Sequence, residues 1–398
     1  MKTTFLTLVF VTVALSNTAM AQKKYDPGAS DKEIKIGNII PYSGPASSYA
    51  TFGRAYGAYF DKVNAEGGVN GRMIKFISLD DGYNPAKTVE QARKLVEQEE
   101  VLLIFGVLGT PTNTAIHKYM NDKHVPHLFI LSGATKWGDP KNFPWTMGFQ
   151  PSLQSEGKNF IAHLLETKPN GKIAVLYQND DFGKDSLKGI EDALGDKARS
   201  MIVAKATYEA SDVTVDSQMI SLQASGADVF FNFSLPKFAA QAIRKAADLG
   251  WKPQHYLTGS STSITATMVP AGPTNGIGVI TGLTNRPTSD PLFQKGKEYE
   301  DWLAWMRKYY PAGDVTDGFN ASAYTSAQAV VQVLQQAGDN LTHDNVMKQA
   351  ANLDIIFPMQ LPGINVKTAP DDYFPVEREQ LARFNGKSWE LFGKVYGR

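Results

Sequence analysis

Ser43-Gly44-Pro45, then Tyr49, then Asn64-Ala65-Glu66-Gly67-Gly68-Val69-Asn70-Gly71-Arg72 punctuate the stretch 43–72, and its reading decides the fold. An apolar strand over 34–40 runs into the Gly-Pro loop. Beyond the loop, Phe52, Ala55, Tyr56, Tyr59, Phe60 and Val63 recur at helical spacing. Gly67-Gly68 stops that helix, and Asn70-Gly71 turns the chain toward the next strand. Strand, polar loop, helix, turn and strand in this order make the opening unit of a parallel α/β sheet.

The alternation continues. Strand patterns fall at 33–40, 73–79, 101–106, 127–131, 172–177, 201–206, 228–232, 255–258 and 277–281. Helical patterns fall at 51–66, 85–99, 112–122, 152–167, 184–195, 213–224 and 237–249, then at 292–309, 319–337 and 343–352. The strand–loop–helix unit at 34–53 has a counterpart at 173–183, so two lobes are expected. The segments 381–384 and 389–392 around Asn385-Gly386 read as a hairpin.

With 398 residues, 42% hydrophobic and 20% charged, the chain has apolar material for two cores. A net charge of zero offers no case for nucleic acid or an anionic membrane as partner. Lys2, an apolar run over 5–15 and Ala19-Met20-Ala21 read as a secretory signal peptide, residues 1–21. The run is shorter than the ~20 residues of a membrane span. The chain has no cysteine, which excludes disulfides, lipid attachment through Cys, Cys nucleophiles and Cys-ligated metals. His124-Val125-Pro126-His127 has an i,i+3 pair, but Pro126 denies it a helix and no carboxylate is near. Asp80-Asp81-Gly82 reads as a turn. Gly-x-Ser-x-Gly and His-Glu-x-x-His are both absent, so no catalytic residue, metal ligand or cofactor is assigned.

The unit at 43–72 and the pattern that follows resemble the leucine/isoleucine/valine-binding family, the type I periplasmic solute-binding proteins of ABC importers. The resemblance implies two Rossmann-like lobes with parallel sheets, joined by a three-strand hinge. It places 26–148 plus 279–357 in an N-terminal lobe and 149–278 plus 358–398 in a C-terminal lobe. It further implies a periplasmic protein, expected to be a monomer, that binds a small molecule and docks on an inner-membrane ABC permease. A soluble sensor on the same fold and an exported enzyme remain the competing readings.

Ligands of open α/β sheets sit beyond the carboxyl ends of the strands. After strand 101–106 comes Gly109-Thr110-Pro111, where free N–H groups and the Thr110 hydroxyl suit a carboxylate; the plain alternative is a helix cap. After strand 127–131 comes Ser132-Gly133-Ala134-Thr135-Lys136-Trp137. Its small residues allow close approach, Thr135 has a hydroxyl to donate, and Trp137 a ring to stack on a planar ligand. Lys136 is either a solvated charge or an anion partner. By resemblance, Thr110, Gly133 and Thr135 clamp a ligand carboxylate, with Gly109 beside them at the site, while Tyr49, Phe182 and Phe319 are pocket aromatics. Amino-acid binders of the family carry an acid after the strand equivalent to 255–258 and an aromatic after the one equivalent to 228–232. Here those places hold Gly259-Ser260-Ser261 and Ser234-Leu235-Pro236. An unpaired ammonium in a closed pocket is costly. The expected ligand is therefore an acid with an apolar or aromatic body, unless Asp180 or Asp181 serves an ammonium.

Overall fold

The computed structural model describes residues 23–397, so the expected signal peptide lies outside the described residues. Five strands form the first sheet: β1 (Glu33–Ile39), β2 (Met73–Leu79), β3 (Leu103–Phe105), β4 (His127–Ile130) and β5 (Thr146–Gly148). Their spatial order is β2-β1-β3-β4-β5, all parallel. The three central strands are almost wholly buried, as a parallel sheet with helices on both faces requires. Helices α1 (Ala50–Ala65), α2 (Pro85–Arg93) and α3 (Thr110–Lys123) make the crossovers. The aromatic stripe of α1 is buried: Tyr56 packs on Phe105 with ring centroids 4.5 Å apart, and Phe60 on Phe76 at 5.1 Å. β5 was not foreseen; its three residues are too few for a strand pattern.

The second sheet has seven strands: β6 (Ile173–Gln178), β7 (Ile202–Tyr208), β8 (Val229–Phe233), β9 (Gln254–Leu257), β10 (Ile280–Leu283), β11 (Arg378–Phe384) and β12 (Trp389–Gly397). Their order is β12-β11-β10-β9-β8-β6-β7. β6 to β10 run parallel, and the terminal hairpin β11–β12 adds antiparallel to β10. Helices α4 (Leu153–Thr167), α5 (Asp181–Leu194), α6 (Asp216–Ala224) and α7 (Pro236–Asp248) belong to this lobe. α8 (Lys297–Tyr309), α9 (Gly318–Ala337) and α10 (His343–Ala350) follow β10 in the chain. α8 and α9 return to the first lobe, where Trp305 Nε1 donates to Ala58 O (3.3 Å) and Tyr324 meets Tyr59 edge-on (5.0 Å).

The chain crosses between the lobes three times, the first near 149–152. The other two crossings differ from expectation. β10 lies within the seven-stranded sheet, so the second falls after Leu283 rather than at 279. The Pro-rich segment does not leave the first lobe at 358. Leu361, Ile364 and Val366 are buried, Thr368 Oγ1 donates to Ala350 O (2.6 Å), and Tyr373 Oη donates to Pro144 O (3.2 Å). Its prolines punctuate a packed loop, and the third crossing comes only near 376–378. The second crossing is tied to this loop, with Arg286 N–H on Met359 O (2.8 Å) and Leu361 N–H on Thr284 O (3.0 Å).

Candidate ligand-binding site

A cavity of about 70 Å³ lies between the lobes at the carboxyl ends of the strands. Gly109 ends the loop after β3 at φ 96°, and a Cβ there would lie 2.5 Å from the Tyr83 ring. Only glycine fits both conditions. Thr110 then opens α3, whose start has no side-chain cap. The Thr110 hydroxyl lies 2.7 Å from Ser132 Oγ. Ser132 Oγ already accepts from Trp137 Nε1 (3.0 Å) and from the Ala134 N–H (3.3 Å). With both lone pairs engaged, Ser132 gives its proton to Thr110 Oγ1, and the Thr110 proton is left for another acceptor. The backbone N–H groups of Thr110 and Gly133 have no acceptor among the described residues. Gly109, Thr110, Ser132 and Gly133 all line the cavity.

Aromatic rings close the remaining sides. Tyr49 stacks on Phe319 (5.3 Å, 14°), and its hydroxyl donates across the cleft to Ser260 O (2.7 Å). Phe182 enters from the first turn of α5 and Leu235 from the start of α7. Tyr49, Phe182, Leu235, Ser260 and Phe319 all line the cavity. Phe52, Tyr83 and Gln150 line it too and were not singled out in the sequence. Helical spacing marks Phe52 as one of the apolar residues of α1 and carries no sign of the cavity. Tyr83 is turned inward by a left-handed backbone (φ 62°) that follows Asp80-Asp81-Gly82. Those aspartates bind local N–H groups, Asp80 those of Tyr42 and Gly82, and Asp81 that of Tyr83.

Three expected contacts do not reach the cavity. Trp137 is 2% exposed and sits in a small core with Ile130, Ala134, Leu153 and Phe182, bonded to Ser132 rather than free to stack. Thr135 and Ala134 line a separate surface depression instead. The cause is the short 3-10 turn Thr135–Gly138, which rolls Trp137 under the loop. Lys136 is also turned away, pairing with Asp181 (2.6 Å) at the rim. Asp180 caps α5 through the N–H groups of Phe182 (2.9 Å) and Gly183 (3.3 Å). Neither acid lines the cavity, which leaves an ammonium there without the partners weighed from sequence.

One acid stands close by and was missed. Glu156, on the first turn of α4, accepts from the Gly259 N–H (2.6 Å) and from Thr258 Oγ1 (3.0 Å). Burial, and then the charge of Glu379, push its carboxyl up to about 8. Burial pushes Glu379 up to about 7, against the pull of its bond from Asn159 Nδ2 (2.8 Å). The loop after β9 has no acid of its own and borrows this one from a helix distant in sequence.

Residues 33–386 match the family model of the periplasmic binding proteins. The chain belongs to that family. Members are substrate-binding proteins rather than enzymes, and they take small molecules and work with ABC transporters. The proteins it resembles at lower identity include Leu/Ile/Val-binding protein homologues and a branched-chain amino acid transporter protein. A Leu/Ile/Val-binding protein homolog 8 from Brucella suis biovar 1 (strain 1330) is 22% identical over 395 residues, covering 95% of this chain and 92% of the relative. A branched-chain amino acid ABC transporter protein from Thermus thermophilus, solved with bound valine, superposes with TM-score 0.82 at 15% identity, over 92% of this chain and 97% of that one. A fatty acid ABC transporter substrate-binding protein from Thermomonospora curvata reaches TM-score 0.76 at 20% identity, over 94% and 95%. These solved structures share the two-lobed fold of this chain.

Proposed function

We propose that the cleft captures a small carboxylate with an apolar or aromatic body and that the closed protein delivers it to an ABC permease in the inner membrane. The observation that carries this reading is the donor set at the start of α3. The Thr110 proton is freed by the bonds behind Ser132, beside two N–H groups without acceptors. A helix N-terminus adds its positive end to that geometry. The opposing wall, with Phe182 and Leu235, matches an apolar body. Hinge motion at the three crossings would open and shut the cleft.

The neighbour with bound valine supports a second reading, a branched-chain amino acid. Its ammonium would have to approach Glu156, whose two oxygens are already engaged. A thermal-shift screen of ligand-stripped protein separates the two. Ligand at 100 times its Kd stabilises by about 2.7 kcal/mol, on the order of 5 °C or more for lobes of this size. Benzoates, phenylacetates or cinnamates should shift the melting point while leucine, isoleucine and valine do not. The reverse result moves the assignment to amino acids.

A further inference from the structure

Behind the carboxylate cavity lies a second chamber of about 110 Å³. The two adjoin, with Phe52, Leu131, Gln150, Ser260 and Ser322 among the residues that line both. The second chamber is bounded by residues of all three inter-lobe crossings, among them Pro151, Arg286 and Val376. Two buried polar groups on its wall, on Thr288 and Arg286, have no partner among the described residues. Thr288 is 1% exposed, and its hydroxyl has no partner. Arg286 is half-buried; its Nε is buried without a partner, and its guanidinium makes no hydrogen bond or ion pair among the described residues. Its backbone, by contrast, is fixed through Met359.

Arg72 shows how this protein treats an arginine that serves structure. Its guanidinium is bonded to Asp339, to the Tyr25 hydroxyl and to the carbonyls of Ser30 and Asn70. Other hydroxyls of the chamber are likewise engaged, Thr325 on Asn285 Oδ1 (2.9 Å) and Ser326 on the Tyr56 hydroxyl (3.3 Å). A guanidinium fork held unpaired in a concave site is suited to a planar anion. Glu156 and Glu379 also line the chamber, and burial raises both carboxyls, which reduces their negative charge and so their repulsion of an anion.

We infer that the ligand has two acidic ends, one held at Thr110 and Gly133 and a second carboxylate received by Arg286 and Thr288 in the hinge-side chamber. This rests on the carboxylate reading of the first cavity. The test is calorimetry on ligand-stripped protein with matched sets: hexanoate, adipate and 6-aminohexanoate, with shorter and longer homologues, and phenylacetate, 4-carboxyphenylacetate and 4-(aminomethyl)benzoate. The diacid of at least one set should bind tenfold or more tighter than its monoacid. Arg286→Gln should erase that advantage and Thr288→Val reduce it. Equal binding of monoacids and diacids, or an advantage that survives Arg286→Gln, overturns the inference. Tightest binding by the amino acids also overturns it, pointing to Glu156 and Glu379 as ammonium partners. Thr110→Ala distinguishes the two readings. If it weakens every acid while the diacid advantage is absent, only the two-ended ligand falls. If no acid binds, or if Thr110→Ala changes nothing, the carboxylate reading falls with it.

Discussion

Helices α3 and α5 both begin at the cleft, one from each lobe, and their starts are finished differently. α5 is capped by Asp180, whose carboxylate takes the N–H groups of Phe182 and Gly183. α3 has no side-chain cap, and the N–H of Thr110 is unused. The positive end of α5 is thus answered by the protein itself, while that of α3 is unanswered among the described residues, which is where the proposed function seats the ligand. What α5 offers the cleft is the Phe182 ring. On the proposed reading, orientation of the ligand head is a task of the first lobe and apolar cover a task of the second. The Thr110 donor depends in turn on Trp137, which acts from inside the core.

The largest effect expected from breaking this arrangement is on stability. Trp137→Ala should cost about 3–5 kcal/mol in denaturant unfolding, as truncation of a buried aromatic does. A loss under about 1 kcal/mol, within the range of surface substitutions, would mean that Trp137 is not core and would return it to the ligand site. Next come the two helix starts. Thr110→Ala should weaken an acid ligand by roughly 1.5–3 kcal/mol, the worth of a hydrogen bond to a charged group. Asp180→Ala should instead lower stability by roughly 0.5–2 kcal/mol, the worth of an N-cap. Comparable affinity losses in both variants, measured by calorimetry, would erase the distinction between the two starts.

Residues whose role follows from loop position were legible in the sequence. Gly109, Thr110 and Gly133 sit in loops that follow strand ends, and Tyr49, Phe182 and Phe319, which only the family resemblance named as pocket aromatics, line the same cavity. Residues whose role depends on which way a loop rolls were not. Thr135 and Trp137 share a six-residue loop with Ser132 and Gly133, yet the 3-10 turn sends one pair outward or under and leaves the other at the cavity. Tyr83 needed the left-handed backbone at φ 62°. Glu156 carried no local signal at all, because its partners Thr258 and Gly259 are about a hundred positions away. The third crossing was misplaced for a similar reason, since proline marks an interruption in regular structure but not the lobe on which it packs.

Glu156 and Glu379 give the subtlest expectation, because the second-lobe wall hides two acids where the first displays donors. Both carboxyls are raised above the ordinary range by burial, and Glu156 further by its neighbour. A raised carboxyl binds more protons folded than unfolded, so its contribution is full below the unfolded value of about 4.5 and is lost as pH rises through the folded one. Stability of the protein should therefore decline between pH 5 and about 8 by the share these two groups supply. Glu379→Gln keeps an oxygen for the Asn159 amide and removes one of the two charges. The variant should match the parent near pH 5, unfold at a higher temperature near pH 8, and show a flatter profile between. Parallel melting profiles for the two proteins would mean that the pair is not raised together. The acids would then stand ionised in the hinge-side chamber, where they would oppose an anion at Arg286.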